Sequence, residues 1–235
     1  MNLSVKRINA IFQKDLKDIS KNIFVLSTVL IPFLFAFLYG RQGDVPLEVQ
    51  FLIINIAFTA VGAFVQSAVI AEEKEKNTLR GLMMSPATSS EILTGKSLLS
   101  AVLTVVTMIV CLSITNYVVT DPIMLLSMII ALIFFISLGT LVGLMTKSLM
   151  EASVVSVPII FVFGMGRMFQ ELFQGNKLVM IFDYLPNVQL EMLASQITEG
   201  ASFAESLPYL GTILAWTLIS IIVTVIVYNK STLDA

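Results

Sequence analysis

The chain has 235 residues, 57% of them hydrophobic and only 13% charged, with a mean hydropathy of +0.92 and a formal charge of −2. A soluble domain carries about 25% charged residues, so this composition excludes a water-soluble globular domain. Histidine is absent and Cys111 is the single cysteine, which removes the commonest general base, the commonest metal ligand and any intramolecular disulfide.

The first 21 residues are polar but patterned. Val5, Ile8, Phe12, Leu16, Ile19 and Ile23 recur every three or four positions, while Lys14, Asp18 and Lys21 lie elsewhere around the same helix. This predicts an amphipathic helix over 1–21 lying in the membrane interface. The charged segment is too long and too patterned for the n-region of a cleavable signal peptide, so none is expected.

Six apolar stretches follow, at 22–38, 51–70, 98–119, 123–146, 153–173 and 208–228. Each is close to the roughly 20 residues that a helix needs to cross about 30 Å of hydrocarbon. None alternates strictly, which argues against barrel strands. The expected fold is therefore an all-α polytopic membrane protein with six transmembrane helices, built as one domain over 1–235.

Eleven of the fourteen Lys and Arg residues fall on one predicted side: Lys6, Arg7, Lys14, Lys17, Lys21, Lys74, Lys76, Arg80, Lys96, Lys147 and Lys230. The positive-inside rule then places both termini in the cytoplasm, as an even number of crossings also requires. The other side is acidic, with Asp44, Glu48, Asp121, Asp183, Glu191, Glu199 and Glu205.

Within the second stretch, Asn55, Thr59 and Gln66 are spaced by four and seven and so share one face of a regular helix. Polar groups inside a span face a pathway or another helix, and both readings stand. Cys111, in the third stretch, reads as a small buried apolar residue. Gly139 and Gly143 in the fourth form a small-xxx-small pair suited to close helix packing.

The cytoplasmic segment 71–97 is the most informative polar region. Glu72 to Lys76 are densely charged and helix-favouring; Leu79, Leu82 and Met83 then form a small apolar patch. Ser85-Pro86 ends that helix, and Thr88 with Glu91 fits a capping box for the next one. The expected product is a charged hairpin with an apolar tip, which suits a protein contact or packing on the chain itself. Gly95-Lys96-Ser97 is no phosphate loop, because Ser90 stands where its first glycine belongs. Glu72-Glu73 is no protease motif either: Asn77 replaces the required arginine, and histidine is absent.

Between the fifth and sixth stretches, Gly164 and Gly166 predict a broken helix. An arginine at mid-bilayer costs roughly 2.5–3.5 kcal/mol, so Arg167 calls for a partner, and Glu171 stands four residues on. Pro158 predicts a kink just before. Gly164, Gly166, Arg167 and Glu171 are expected to build an outer gate within 164–207.

Nearly the whole chain resembles the permease subunits of type-2 ABC transporters. The resemblance is densest at Glu73-Lys74-Glu75-Lys76-Asn77-Thr78-Leu79 with Leu82, Ser85, Pro86, Glu91 and Gly95-Lys96, which looks like the family's E-x-E-x-G-T-L…L…S-P…E…G-K element. Asn77 takes the place of the usual glycine. Leu138-Gly139 through Lys147-Ser148, then Ala152, Pro158 and Gly164, is similar to the family's span-four exit and span five. Leu185-Pro186 before the last span is a weaker match.

The resemblance implies a non-catalytic, multi-pass subunit of the plasma membrane that forms the pathway of an exporter. Its coupling helix, with Glu73, Glu75, Thr78, Leu79, Leu82, Met83, Ser85 and Pro86, is expected to dock on a separate ABC ATPase. Two ATPases and a second permease copy, identical or homologous, complete the unit. ATP and Mg belong to the ATPase, with no cofactor here and no nucleic acid. Segment 164–207 is expected to hold the family's re-entrant helices, and the cargo to be amphiphilic, a drug or antimicrobial peptide. Export of a lipid-linked polysaccharide, a channel or secondary carrier without an ATPase, and a structural or sensory subunit are the alternatives. No Asp or Glu lies mid-span, which argues against proton coupling.

Overall fold

A computed structural model describes residues 4–41, 43–78, 81, 87–172 and 177–233, and among them every regular element is helical. Helix α1 (Val5–Ile19) turns into α2 (Ile23–Gly40). A continuous rod follows: α3 (Leu47–Ile56), a seven-residue π-helical stretch (Ala57–Ala63) and α4 (Phe64–Glu75). Next come α5 (Ser89–Ile114), α6 (Pro122–Met145) and α7 (Leu149–Ile159), which continues as five π-helical residues, Ile160–Gly164. Three short elements, α8 (Gly166–Leu172), a 3-10 helix (Lys177–Tyr184) and α9 (Pro186–Thr198), precede α10 (Phe203–Leu233).

The helix starts follow from the residues in front of them. Asn22 accepts from the Val25 amide at 3.3 Å, and Asp121 accepts from Ile123 and Met124 at 2.8 and 3.0 Å ahead of Pro122. Thr88 and Glu91 make the expected capping box.

Among the described residues, five helices are long and apolar enough to cross a bilayer: Ile23–Gly40, Leu47–Glu75, Ser90–Ile114, Pro122–Met145 and Phe203–Lys230. The stretch expected at 153–173 differs. It breaks at Met165, leaving a shorter apolar helix, Leu149–Gly164. At 1.5 Å per residue that is about 24 Å, less than the ~30 Å hydrocarbon core. Pro158 has no amide hydrogen for the helix ladder, and the turns after it open into π geometry. Arg167 consequently lies past the break, in α8, rather than in the helix that ends at Gly164.

The rod Leu47–Glu75 is the axis of the bundle, and every residue of its apolar window is buried. Helices α2, α5, α6 and α7 pack around it. Phe58 stacks on Phe135 of α6 with centroids 5.2 Å apart, and Phe134 meets Phe135 and Trp216 edge-on. The Trp216 indole donates to the Tyr184 carbonyl at 2.7 Å. Gly139 and Gly143 let α6 touch the rod backbone to backbone. A Cβ on Gly139 would lie 2.2 Å from the Ala63 carbonyl oxygen, and one on Gly143 2.8 Å from that of Ser67.

Helix α1 lies across the start of α5, where Gly95 makes room: a Cβ there would sit 2.9 Å from the Cβ of Ile11. The side packed on the bundle carries Ile11, Asp15 and Ile19, while Val5 and Leu16 of the apolar stripe are exposed.

Candidate functional site

We call the end of the bundle that holds α1 and Glu75 the lower end. There the last turn of α4 presents four consecutive side chains that between them reach five other helices. Glu72 accepts from Nδ2 of Asn22, the residue capping α2, at 3.4 Å. Glu73 pairs with Lys96 of α5 at 2.5 Å and also with Lys14 of α1. Lys74 donates to the Leu144 carbonyl in the last turn of α6. Glu75 accepts the Leu149 amide hydrogen at the start of α7 at 2.9 Å. Helices α1, α2, α5, α6 and α7 are thus tied to one helical turn.

Glu73 belongs to a buried charge cluster. Lys96, Asp15 and Glu73 are 1%, 2% and 6% exposed as side chains, and Lys96 also reaches Asp15 at 3.3 Å. Lys14 touches Asp15 at 3.2 Å and Asp18 at 3.6 Å. Burial works against the Lys14 ammonium, but Glu73 and Asp15 outweigh it and push its pKa up to about 12. Burial also raises Asp15 above the usual carboxylate range, with Lys96 offsetting part of the effect. Glu91 ties down the other end of α1, accepting from the Ser4 amide at 2.7 Å and from Arg7 at 3.3 Å.

The rod ends at once beyond this clamp. Asn77 takes a left-handed conformation, φ 55°, and Thr78 Oγ1 donates to the Glu73 carbonyl at 3.3 Å. Glycine is the usual residue at such a helix end and asparagine the next best, which explains physically why Asn77 can stand where a glycine is usual. Leu79, Leu82, Met83, Ser85 and Pro86 lie outside the described residues.

The three polar residues of the rod expected to share one face, Asn55, Thr59 and Gln66, do not look the same way. Asn55 and Thr59 lie toward the α7–α8 break: Thr59 Oγ1 donates to the Asn55 carbonyl at 2.8 Å and would meet a Cβ on Gly164 at 3.0 Å. Gln66 looks toward α5 and α6, donating to Thr140 at 2.9 Å and accepting from Ser100 at 2.8 Å. The π stretch between them turns the chain less per residue than an α-helix does, so spacings of four and seven no longer define one face.

At the upper end, Gly164 and Gly166 flank the break at Met165. A Cβ on Gly166 would come 2.9 Å from Nδ2 of Asn187, so α8 lies directly on α9. Arg167 lies 3.6 Å from Glu191 of α9, and its Nη1 meets Gln170 Oε1 at 3.5 Å. The side chain of Glu171, the partner expected from spacing, lies outside the described part. The buried Asn55 Oδ1 and both amide atoms of the buried Asn187 have no hydrogen-bond partner.

Sequence reasoning missed Asp15, Lys96, Asn187 and Glu191. Asp15 had left a signal: it sits four residues from Ile11 and from Ile19, an acidic residue on an apolar stripe. Among the described residues no cluster of three or more His, Cys, Asp or Glu side chains could hold a metal ion. The arrangement suits mechanical linkage at one end and polar contact at the other.

A family model described as ABC-2 family transporter protein matches residues 45–228. No curated protein matches the chain. The matched region runs from the start of the central rod to the last turns of α10, including the clamp and the broken α7–α8 pair. The chain therefore belongs to the ABC-2 family transporter proteins and is a membrane permease of the type-2 ABC transporter kind.

Proposed function

We propose that this chain is the permease subunit of an ATP-driven exporter in the plasma membrane. Two copies, identical or homologous, work with two separate ABC ATPases that supply the ATP and Mg. Both termini lie in the cytoplasm, Leu149–Gly164 with its continuation acts as a sixth crossing, and α8 to α9 form a re-entrant outer gate. The cargo is amphiphilic, a drug or a peptide.

The observation that supports this reading is the four-residue clamp. Residues 79–86 follow it after three residues, so a force on that segment reaches five helices through Glu72, Glu73, Lys74 and Glu75. A rigid lever of this kind suits a subunit driven from outside itself. The apolar side chains Leu79, Leu82 and Met83 supply the docking contact in this reading.

Leu82→Asp tests it. Expressed with a partner ABC ATPase that co-purifies with the wild-type chain, the variant is expected to enter the membrane normally and to lose ATPase co-purification. Undiminished co-purification refutes docking at this segment.

A further inference from the structure

Helix α1 lies at the lower end with one side on the bundle, where Ile11, Asp15 and Ile19 are buried. Contacts fix the direction of its other sides. Lys14 and Asp18 line a cavity of about 180 Å³ together with Lys76 and Thr78, which lie beyond the end of α4. That side therefore faces the lower tip, and Arg7 turns the same way to reach Glu91 in the first turn of α5. With 3.6 residues per turn, Val5 and Leu16 stand on the opposite side. Both are exposed, as is Ile23 at the start of the first long apolar helix. An apolar edge directed away from the tip is directed into the bilayer that Ile23–Gly40 enters.

The remaining side of α1 is turned away from the bundle. It carries Lys6 and Lys17, about three turns apart on one stripe with Ala10 and Gln13 between them, and Lys21 follows just past the helix end. All three lysines are exposed, and none forms an ion pair among the described residues. The two carboxylates of α1 do not neutralise them. Asp15 is held by Lys14 and Lys96 on the packed side, and Asp18 by Lys14 on the tip side. A row of uncompensated ammonium groups thus runs beside an apolar edge, level with the lipid headgroups. A helix so built combines apolar burial with attraction to anionic lipid.

We infer that Lys6, Lys17 and Lys21 bind the phosphates of anionic phospholipids in the leaflet at the lower end, with Val5 and Leu16 against the acyl chains. Each lysine at an anionic membrane surface strengthens binding roughly fivefold. A zwitterionic headgroup gains less, because its own ammonium offsets the phosphate. Lys14 joins the same helix to Glu73, so the bound lipid anchors the clamp to its leaflet. Such binding requires neither cargo nor an ATPase.

The test places a reporter on the apolar edge. Trp216→Phe with Leu16→Trp leaves one indole in the purified full chain, reconstituted in nanodiscs of equal parts phosphatidylglycerol and phosphatidylcholine. Bromine atoms are carried on the acyl chains of one lipid or of the other. Brominated phosphatidylglycerol is expected to quench the indole about threefold or more as strongly as brominated phosphatidylcholine. Adding Lys6→Gln, Lys17→Gln and Lys21→Gln should bring the two to parity; these lysines are exposed, so the variant folds. Adding Lys147→Gln and Lys230→Gln instead, also at exposed lysines, should keep the preference. The proposal is overturned if neither lipid quenches, if both quench equally in the chain with its lysines intact, or if the triple variant keeps the preference. Loss of the preference in the Lys147 and Lys230 variant would overturn it too, because overall charge rather than α1 would then select the lipid.

Discussion

The Glu75 carboxylate accepts the backbone hydrogen of Leu149 at 2.9 Å across 74 residues of sequence. It caps α7 from outside that helix, beside the local cap in which the Ser148 hydroxyl accepts from Glu151 at 3.3 Å. The first four amides of a helix lack internal partners, so a carboxylate there both bonds and complements the helix dipole.

Removing that link gives the first prediction. Glu75→Ala should cost about 1 kcal/mol at the start of α7, within the range for lost caps. Hydrogen exchange at Leu149 to Glu151 should accelerate, while exchange in α5 stays unchanged. Equal protection in variant and wild type would show that Ser148 alone holds this end.

Asp15 gives a pH dependence. Its folded-state pKa is raised above the ordinary 3.8, chiefly by burial. A raised pKa means that the folded state holds the proton more tightly than the unfolded chain. The stabilisation is fully present below pH 3.8 and is lost as pH rises through the folded value. Asp15→Asn lacks this titration. Thermal melts in mildly acidic buffers should show wild type gaining on the variant as pH falls through this window. A constant gap between the two melting curves would refute it.

Gly139 and Gly211 make a matched pair. A Cβ on Gly139 would lie 2.2 Å from the Ala63 carbonyl oxygen, which is fixed backbone, whereas one on Gly211 meets nothing within 4 Å. Gly139→Ala is expected to force α6 off the rod and yield aggregated protein in detergent. Gly211→Ala should be neutral or stabilising by up to about 1 kcal/mol, the helix preference for alanine. Size-exclusion profiles of the two variants decide the matter.

Asn77 sits at φ 55°. Asn77→Gly should keep stability. Asn77→Val places a β-branched residue in the left-handed region at a cost of roughly 1–2 kcal/mol. That variant should show faster backbone exchange across the last turn of α4. Matched exchange rates in the two variants would mean that this conformation is absent in solution.

Much of the architecture could be read from hydropathy alone, because a run of about 20 apolar residues has few other uses. Five of the six expected stretches form long apolar helices. The fifth stretch forms a shorter apolar helix, Leu149–Gly164, for a local reason that Pro158, Gly164 and Gly166 had signalled, although they did not signal that the turns after Pro158 would be π-helical. The capping box at Thr88 and Glu91 was legible because it is a short-range pattern. The partners of Glu73 and Arg167 were not. Lys96 is 23 residues from Glu73, and Glu191 is 24 from Arg167, so only packing brings them together. The face shared by Asn55 and Gln66 on paper assumed 3.6 residues per turn, which the π stretch does not keep.

The protein contains one tryptophan, and its indole is fastened to the carbonyl of Tyr184, just ahead of α9. Ultraviolet emission from the purified chain therefore has a single indole source near the upper end. A change in that hydrogen bond shifts its wavelength with no label attached, so the native molecule carries its own optical gauge of the segment between α8 and α9.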